Sequence, residues 1–359
     1  MEKKVIRVGS VGVGAIWGGV HEPGIAKSPD LTLVAICDID EKKLEAVGEK
    51  YGIPPQYRFT DYRDLVNCDI VDAVDICTSN DAHFKVAMAA VEAGKPFNLE
   101  KPITLTAEEA DILAKAAQEK NVKNMVCFSY RFKAAARYAK DLIAQGKIGR
   151  VYHVNMQYFQ AWGLPRANCP LVWRYVKSRT GTGALGDLGS HALDLVRFVT
   201  GKEYKRLVSH TGTFVHERQK LDGSGMGKVD VDDFSNYMAE MEDGAACTFR
   251  ITRFGYGRGN YQTMGIYGSE GAIQYELDHV APDTDEISIC IGRANAEAHV
   301  FSKLPIPKKY KVDQMQSFAD LINGKGDGMA ADIFDGQINQ HAVDAVLQSG
   351  ETGVWVDVK

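Results

Sequence analysis

The feature that most constrains the fold is an alternation of short apolar runs with helix-like segments in the first third of the chain. The apolar runs cover residues 5–11, 31–38, 71–77 and 125–129. Segments of helical composition lie between the last two runs, at residues 82–93 and 106–120. Short β-rich runs bounded by turn residues are typical of buried parallel strands, and helices then cover both faces of the sheet. The pattern predicts an N-terminal α/β domain, residues 1–125, with a doubly wound parallel sheet.

The remainder of the chain has a different pattern. Four segments have helical composition, at residues 134–145, 183–200, 311–322 and 335–348. Strand-like runs separated by turns dominate elsewhere, at residues 151–160, 207–215, 234–241, 245–251, 263–267 and 272–277. This order predicts an α+β C-terminal domain, residues 126–359, with a large, mostly antiparallel open sheet and terminal helices able to pack back on the first domain. The glycine- and aspartate-rich residues 221–230 predict a loop.

Composition narrows the classes of partner. A chain of 359 residues with 45% hydrophobic and 25% charged residues is typical of a soluble two-domain protein. The net charge of −5 and the lack of a basic stripe argue against nucleic acid, and no run approaches the roughly 20 apolar residues that cross a bilayer. The seven cysteines are scattered without a CxxC pair, which favours reduced thiols in the cytoplasm. We predict no metal site.

A glycine-rich turn directly follows the first predicted strand. Gly12 and Gly14 form a GxG pair, followed by Ala15 and Ile16. Glycines at this place let the backbone turn tightly and approach a pyrophosphate, whose charge then lies at a helix N-terminus. Trp17 occupies the third glycine position of the usual GxGxxG pattern, so the motif alone also fits an ordinary glycine-rich turn. We predict that these residues, Trp17 excepted, bind a dinucleotide.

An acidic residue at the end of the second apolar run supports this prediction. Asp38 lies 24 residues beyond Gly14, close to the spacing at which a carboxylate binds the adenosine ribose hydroxyls. The next residues are Ile39 and Asp40, so no arginine follows at once to bind a 2′-phosphate. The sequence therefore favours NAD over NADP. The alternative is a solvated acid at the end of a strand.

Polar residues follow two later strand-like runs. Thr78, Asn80 and His83 come after the third run, and Glu100 with Lys101 ends another short apolar stretch. The carboxyl ends of parallel strands face the ligand crevice in such sheets, so we predict that all five residues bind the cofactor. An ammonium group in that crevice can also stabilise a reacting oxygen. The alternatives are an ordinary helix N-cap for the first group and a surface turn for the second.

Asp187 and His191 form the strongest candidate pair in the C-terminal part. On a helix they lie at positions i and i+4, so both side chains project from one face. A carboxylate beside an imidazole orients the ring and raises its basicity, as general acid–base catalysis requires. A helix-start aspartate with an unrelated buried histidine would have the same spacing.

Taken together and in order, these motifs resemble one known family. The chain has the EKP sequence at residues 100–102, a DxGxH pattern at 187–191, and CTSN at 77–80 where the family has CTPN. Residues 140–149 look like the family's linker helix. The chain is thus similar to the glucose–fructose oxidoreductase and inositol dehydrogenase (Gfo/Idh/MocA) family. Trp17 and the serine within residues 77–80 are the two departures.

A narrower resemblance concerns the branch of that family that oxidises glycosides and anhydrosugars. Five residues look like the substrate side of that branch: Tyr158, Gln160, Trp162, Trp173 and Arg174. Aromatic rings stack on the CH face of a sugar, and amides pair with its hydroxyls. The alternative places both tryptophans in the core or at a subunit interface.

The resemblance implies NAD as the cofactor and a hydride transfer between nicotinamide and a ring hydroxyl carbon of a sugar, polyol or glycoside. It implies proton transfer and substrate contact by Lys101, Asp187 and His191. It also implies a homo-oligomer formed through the open sheet, as a dimer or tetramer, with a hexamer left open. Two other functions remain: glycoside cleavage through transient oxidation and elimination, and a non-catalytic dinucleotide or sugar sensor. The joint presence of the three reactive residues argues against a sensor.

Overall fold

The computed structural model describes residues 5–278 and 284–359 and divides the chain into two compact units. The first unit combines the N-terminal residues up to Phe128 with Val312–Gln337. The second combines Ser129–Lys311 with Ile338–Lys359. The C-terminal part of the chain therefore contributes to both units.

The first unit contains a six-stranded parallel sheet. Its strands are β1 Ile6–Val11, β2 Leu31–Cys37, β3 Arg58–Phe59, β4 Ala73–Ile76, β5 Phe97–Leu99 and β6 Asn124–Val126. Their order, β3-β2-β1-β4-β5-β6, reverses direction at β1 and β4, as in a doubly wound Rossmann domain. Every residue of β4 and β5 is buried, because helices cover both faces. The predicted doubly wound fold is confirmed.

The helices follow in chain order: α1 Glu22–Lys27, α2 Glu41–Tyr51, α3 Tyr62–Val66, α4 Asn80–Glu92, α5 Ala107–Glu119, α6 Ala134–Ala144, α7 Lys177–Thr180, α8 Ser190–Thr200, α9 Arg293–Ala298, α10 Gln314–Ile322 and α11 Ile333–Thr352. Wider π turns lead into two of them, at Trp17–His21 before α1 and at Leu185–Gly189 before α8. The Thr106 hydroxyl accepts the Glu109 N–H at 3.3 Å and so caps the start of α5. Among the described residues, none of the helices has the length and apolar character needed to cross a bilayer.

The second unit contains a nine-stranded mixed sheet. Its strands are β7 Val151–Phe159, β8 Tyr204–Gly212, β11 Phe234–Met241, β12 Ala246–Thr252, β13 Tyr261–Gly268, β14 Gly271–Leu277, β15 Glu286–Ile291, β16 Ser302–Lys303 and β17 Val356–Asp357; β9 and β10 form a separate hairpin described below. Only the β7–β12 pair is parallel among these described strands. Buried and exposed residues alternate along β11 and β12, so one face packs on α6 and α8 and the other is exposed. The predicted mostly antiparallel sheet is confirmed.

One local prediction is wrong. Residues 221–230, expected to be a loop, contain a strand, β10 Met226–Lys228, which pairs with β9 Glu217–Gln219. The Lys220 N–H donates to the Gly225 carbonyl at 2.8 Å and closes the turn between them. A strand of methionine, glycine and lysine has low intrinsic β propensity, so only pairing with its neighbour stabilises it.

Candidate functional site

The glycine turn after β1 has the geometry that a dinucleotide requires. Gly12 has a φ of +86°, and a Cβ there would lie 2.7 Å from the Cys77 carbonyl group, so only glycine fits. A Cβ on Gly14 would meet no atom within 4 Å, so the backbone there faces open space. The side chain of Thr78, which follows Cys77, has a buried hydroxyl oxygen without a protein partner. These features fit a cofactor that approaches the turn and supplies the missing hydrogen bond.

Trp17, which replaces the third glycine, does not obstruct this turn. Its side chain is 2% exposed and packs in an apolar cluster with Ile36 and Leu44. Its ring also makes an edge-on contact with Tyr51 of α2, with centroids 5.5 Å apart. The indole therefore belongs to the core beneath the helix.

Asp38 is joined to the glycine turn itself. One carboxylate oxygen accepts the Val13 N–H at 3.0 Å, and the other accepts the Asp40 N–H at 3.0 Å. Lys43 lies 3.0–3.1 Å from both oxygens. Lys43 was not among the residues predicted from the sequence, because it lies beyond the two positions that directly follow Asp38. The available sign was a lysine in the first turn of α2, where it opposes the helix dipole.

His83 links two of the predicted cofactor-binding loops. The ring is 1% exposed, with Nδ1 2.7 Å from the Pro102 carbonyl and Nε2 3.2 Å from the Thr78 carbonyl. Burial lowers the pKa of His83, which therefore stays neutral. Asn80, the first residue of α4, is also buried. The first group of predicted residues thus lies at the end of β4, as expected for this sheet.

Glu100 faces into the protein. One carboxylate oxygen lies 2.9 Å from His21 Nε2, and the other accepts the backbone N–H of Lys101 at 3.2 Å. His21 Nδ1 lies 2.8 Å from Asp75 on β4, and Asn98 donates to Asp75 at 2.9 Å. We call His21, Asp75, Asn98 and Glu100 the His21 cluster. This cluster was not predicted from the sequence, although an aspartate inside the apolar run 71–77 implied a buried partner.

In the second unit, Asp187 and His191 lie on one continuous helical segment. Asp187 is half-buried in the π turn, and His191 is buried in the first turn of α8. Asp232 holds the start of this segment, because its carboxylate accepts the N–H groups of Gly183 at 2.6 Å and Leu185 at 2.7 Å. The two predicted residues are therefore four positions apart on a π-widened helix, a distortion frequent at functional sites.

His191 lies against a network of hydroxyl and amide groups. Its ring centroid is 4.8 Å from that of Tyr130 and 6.4 Å from that of Tyr158. The two phenolic oxygens are 2.5 Å apart and lie 3.0 and 2.7 Å from Asn260 Oδ1, so one hydroxyl donates to the other and the second donates to the amide oxygen. Gln160 Nε2 lies 3.0 Å from both Tyr158 Oη and Asn260 Oδ1. We call these five residues the His191 network.

Two members of this network, Tyr130 and Asn260, were not predicted. Burial raises the pKa of Tyr130 to about 12, so its hydroxyl keeps its proton. Their positions in sequence, 28 residues before Tyr158 and 102 after it, follow no motif.

Trp162 extends the His191 network toward a second group of aromatic rings. Its indole N–H donates to Gln160 Oε1 at 2.7 Å, and its ring lies 5.5 Å from that of Tyr175. The guanidinium of Arg253 lies 5.2 Å from the Trp162 ring and 4.4 Å from the Tyr175 ring. Arg253 pairs with Asp233 at 2.8 Å, and both side chains are fully buried. The Trp162 ring thus packs against a buried ion pair.

The remaining predicted pair, Trp173 and Arg174, is stacked, with the guanidinium 4.3 Å from the indole centroid. Both side chains are half-buried, as is that of Trp162. Neither tryptophan is therefore fully buried in the core. Their contact with a substrate stays a prediction.

Comparison with known protein families identifies both parts of the chain. Residues 6–128 match the oxidoreductase family with the NAD-binding Rossmann fold. Residues 136–274 match the GFO/IDH/MocA C-terminal domain.

Individual relatives are similar over nearly the whole chain. Levoglucosan dehydrogenase of Pseudarthrobacter phenanthrenivorans is 30% identical, with 98% of both chains covered. D-glucoside 3-dehydrogenase of Escherichia coli is 25% identical and covers 100% of this chain and 99% of its own. A solved structure of levoglucosan dehydrogenase in complex with NADH and levoglucosan has a TM-score of 0.87 at 29% identity, covering 99% of this chain and 100% of its own.

Proposed function

The chain belongs to the GFO/IDH/MocA family of NAD-binding oxidoreductases, and we propose that it transfers a hydride between nicotinamide and a secondary ring hydroxyl carbon of a glycoside or anhydrosugar. The observation that carries this proposal is the His191 network. It brings one imidazole together with two phenols and two amides, the groups that recognise and deprotonate a sugar hydroxyl.

The first unit binds the cofactor, NAD. Gly12, Gly14, Ala15 and Ile16 would hold the pyrophosphate, because their backbone turns tightly and is open to approach. The Asp38 carboxylate would accept hydrogen bonds from the adenosine ribose hydroxyls while it still accepts the Val13 N–H of the turn. When bound, NAD supplies the nicotinamide carbon that takes up or returns the hydride.

The proposal gives each reactive residue one task. His191 accepts the proton of the substrate hydroxyl and returns it in the reverse direction. Lys101 stabilises the developing alkoxide through its charge. Asp187, four positions before His191, orients the imidazole or the substrate. A carbon whose hydroxyl loses its proton in this way can release a hydride.

The substrate class follows from the side chains around His191. A sugar ring offers several hydroxyls, and each needs a donor or an acceptor in place of water. Gln160 and Asn260 provide both, and the half-buried Trp162 offers a flat apolar surface for the CH face of a pyranose. Levoglucosan and D-glucosides appear in the names of relatives that cover almost the whole chain, which supports the same class.

We also propose that the exposed face of the nine-stranded sheet forms a homo-oligomer. Asn236, Met238 and Thr248 lie on that face, and Met238 is 51% exposed. Tyr267 lies on the same face and is 38% exposed, so apolar side chains are exposed on two of its strands, as is typical of a surface that packs on another copy. Light scattering after size-exclusion chromatography would measure the oligomer, and a monomer at micromolar concentration would contradict the proposal.

The first test is NADH formation by purified protein with NAD and a panel of inositols, free sugars, anhydrosugars, and O- and C-glycosides, with NADP in parallel. We expect NADH with glycosides or anhydrosugars and little or no reaction with NADP. NADH with inositols alone would place the protein among polyol dehydrogenases instead.

The same panel distinguishes the other functions. Release of an aglycone without accumulation of NADH would identify cleavage through transient oxidation. Binding of NAD and sugar without either product would identify a sensor. Either result would overturn the proposed dehydrogenase.

A further inference from the structure

The roles given above leave a group of buried ionisable side chains at the end of the parallel sheet unused. His21 and Asp75 have fully buried side chains, and the side chain of Glu100 is 9% exposed. Burying an ionised group is unfavourable unless partners replace its hydration. Three such groups together at the carboxyl end of the sheet, next to Lys101, therefore need an explanation.

The geometry determines where the protons lie. His21 Nδ1 is 2.8 Å from Asp75 Oδ1, and Nε2 is 2.9 Å from Glu100 Oε1. A neutral imidazole has one N–H and cannot donate to two carboxylates, whereas an imidazolium can. Asp75 also accepts from Ser10 at 3.2 Å and from Asn98 at 2.9 Å, which requires acceptor oxygens on both sides. With Asp75 and Glu100 both ionised, these contacts are satisfied only if the ring carries a proton on each nitrogen.

The charges that face His21 support this state. Burial by itself lowers its pKa, but the charge of Asp75 and its hydrogen bond to the ring raise the pKa of His21 well above 6.5. Burial likewise opposes ionisation of Asp75 and Glu100, yet contact with His21 lowers the pKa of both. The other titratable neighbours are the Cys77 and Cys127 thiols, whose pKa values burial raises, so they stay neutral.

His83 provides a comparison within the same unit. It is as deeply buried as His21, but its ring nitrogens face the carbonyl oxygens of Pro102 and Thr78. Burial lowers the pKa of His83, and neither the carbonyl contacts nor the charge of Glu100 offsets this effect. The two imidazoles thus differ through their partners and not through their burial.

The contacts of His21 connect two places that the proposed function uses. His21 ends the π turn that follows the glycine turn, and Glu100 accepts the backbone N–H of Lys101 at 3.2 Å. We propose that His21 is a positioning residue, whose doubly protonated ring ties the cofactor-binding turn to Glu100 and so holds the backbone of Lys101. The part of this inference that concerns the reaction rests on the proposed function, through the role of Lys101.

The protonation state is tested first, without a substrate. Protein labelled with ¹⁵N-histidine is studied by NMR at neutral and mildly alkaline pH, and His21→Gln identifies the signals that disappear. We expect two protonated ring nitrogens for His21 throughout. A neutral ring overturns the proposal, as does one equivalent of tightly bound metal, because a ring nitrogen that binds a metal cannot donate to a carboxylate.

The positioning of Lys101 is tested next, again without turnover. Protein labelled with ¹⁵N-lysine reports the backbone amide of Lys101, which the loss of one signal in Lys101→Arg identifies. We expect His21→Gln and Glu100→Gln to shift this signal. The matched control is Ser28→Ala, which removes a hydrogen bond of 2.6 Å to Gln316 at the other end of α1 and should leave the signal in place. An unmoved signal in His21→Gln overturns the proposal.

Activity provides the last readout. His21→Gln and Glu100→Gln should each lower kcat roughly ten- to a hundredfold, because a small misplacement of a reacting group has an effect of that order, with a smaller change in KM. If His21 acts through Glu100, the double variant is no slower than the slower single one. Losses that multiply contradict this coupling. If the wild-type protein oxidises no sugar, the proposed function fails while both NMR results still decide the inference.

Discussion

Two buried polar clusters, one in each unit, are built in opposite ways. The His21 cluster in the first unit is centred on three charged side chains, with one histidine between two carboxylates, and Asn98 donates to one of them. The His191 network in the second unit is built from neutral phenols and amides around one imidazole. Ionised partners give fixed donor and acceptor roles, whereas hydroxyls can exchange these roles. The first arrangement therefore suits holding a loop, and the second suits exchanging partners with a sugar.

The largest expected effect tests the role of His191 within the His191 network. His191→Ala should lower turnover about 10²- to 10⁴-fold, as expected for loss of a positioned acid–base group. The affinity for NAD, measured by calorimetric titration, should stay nearly unchanged. His210→Ala is the matched control, because His210 lies exposed on β8. Unchanged turnover in His191→Ala would exclude His191 as the base.

The second-largest effect concerns the buried ion pair of Arg253 and Asp233 in the second unit. Like the His21 cluster, it holds charged side chains away from water. Arg253→Met leaves Asp233 buried without its cation, and we expect the free energy of unfolding to fall by about 3–5 kcal/mol. Arg258→Met is the control, because Arg258 pairs with Asp278 where both side chains are about a third exposed. That change should be within about 1 kcal/mol by chemical denaturation. Equal losses in the two variants would remove the distinction.

A third prediction concerns pH. The pKa of His21 is raised, so its charge stabilises the fold fully below 6.5, and this contribution is lost as pH rises through the raised value. The pKa values of Asp75 and Glu100 are lowered from 3.8 and 4.5, so their contribution is present above those values and is lost as pH falls through the lowered ones. The cluster should therefore stabilise the fold most between pH 4.5 and 6.5.

Denaturation of wild type and His21→Gln across pH measures this contribution. The difference in free energy of unfolding should be greatest in that window and should decrease above pH 6.5 by up to about 1.4 kcal/mol per pH unit. A difference independent of pH would mean that His21 is not charged in the folded protein.

The smallest expected effect concerns the preference of the first unit for NAD over NADP. Lys43 partly neutralises Asp38, so Lys43→Ala should strengthen the repulsion between Asp38 and the 2′-phosphate of NADP. We expect the ratio of NAD to NADP affinity to rise by up to about fivefold, as for other partly exposed pairs. Lys42→Ala, one residue earlier and exposed, is the control. An unchanged or lower ratio in Lys43→Ala would contradict this prediction.

Much of the fold could be predicted because its determinants are local. Apolar runs with β propensity became the buried strands β1, β2 and β4, and the alternation with helices implied a parallel sheet. The cap at Thr106 and the glycine with positive φ at residue 12 act within a few residues. The short strand β10 was missed because its sequence has little β propensity and depends on β9.

The sequence by itself determined the two-part architecture, the family and the NAD turn, because these depend on periodicity and on motifs of neighbouring residues. The motifs also named Lys101, Asp187 and His191, whose roles stay predictions. Only the tertiary structure decided which side chains meet them.

His21 contacts a carboxylate 54 residues away and another 79 away, and Asn260 joins a tyrosine 130 residues earlier. Residues this far apart follow no spacing rule that can be recognised in a single sequence. These contacts exist because the fold removes these groups from water and brings together the partners that replace it.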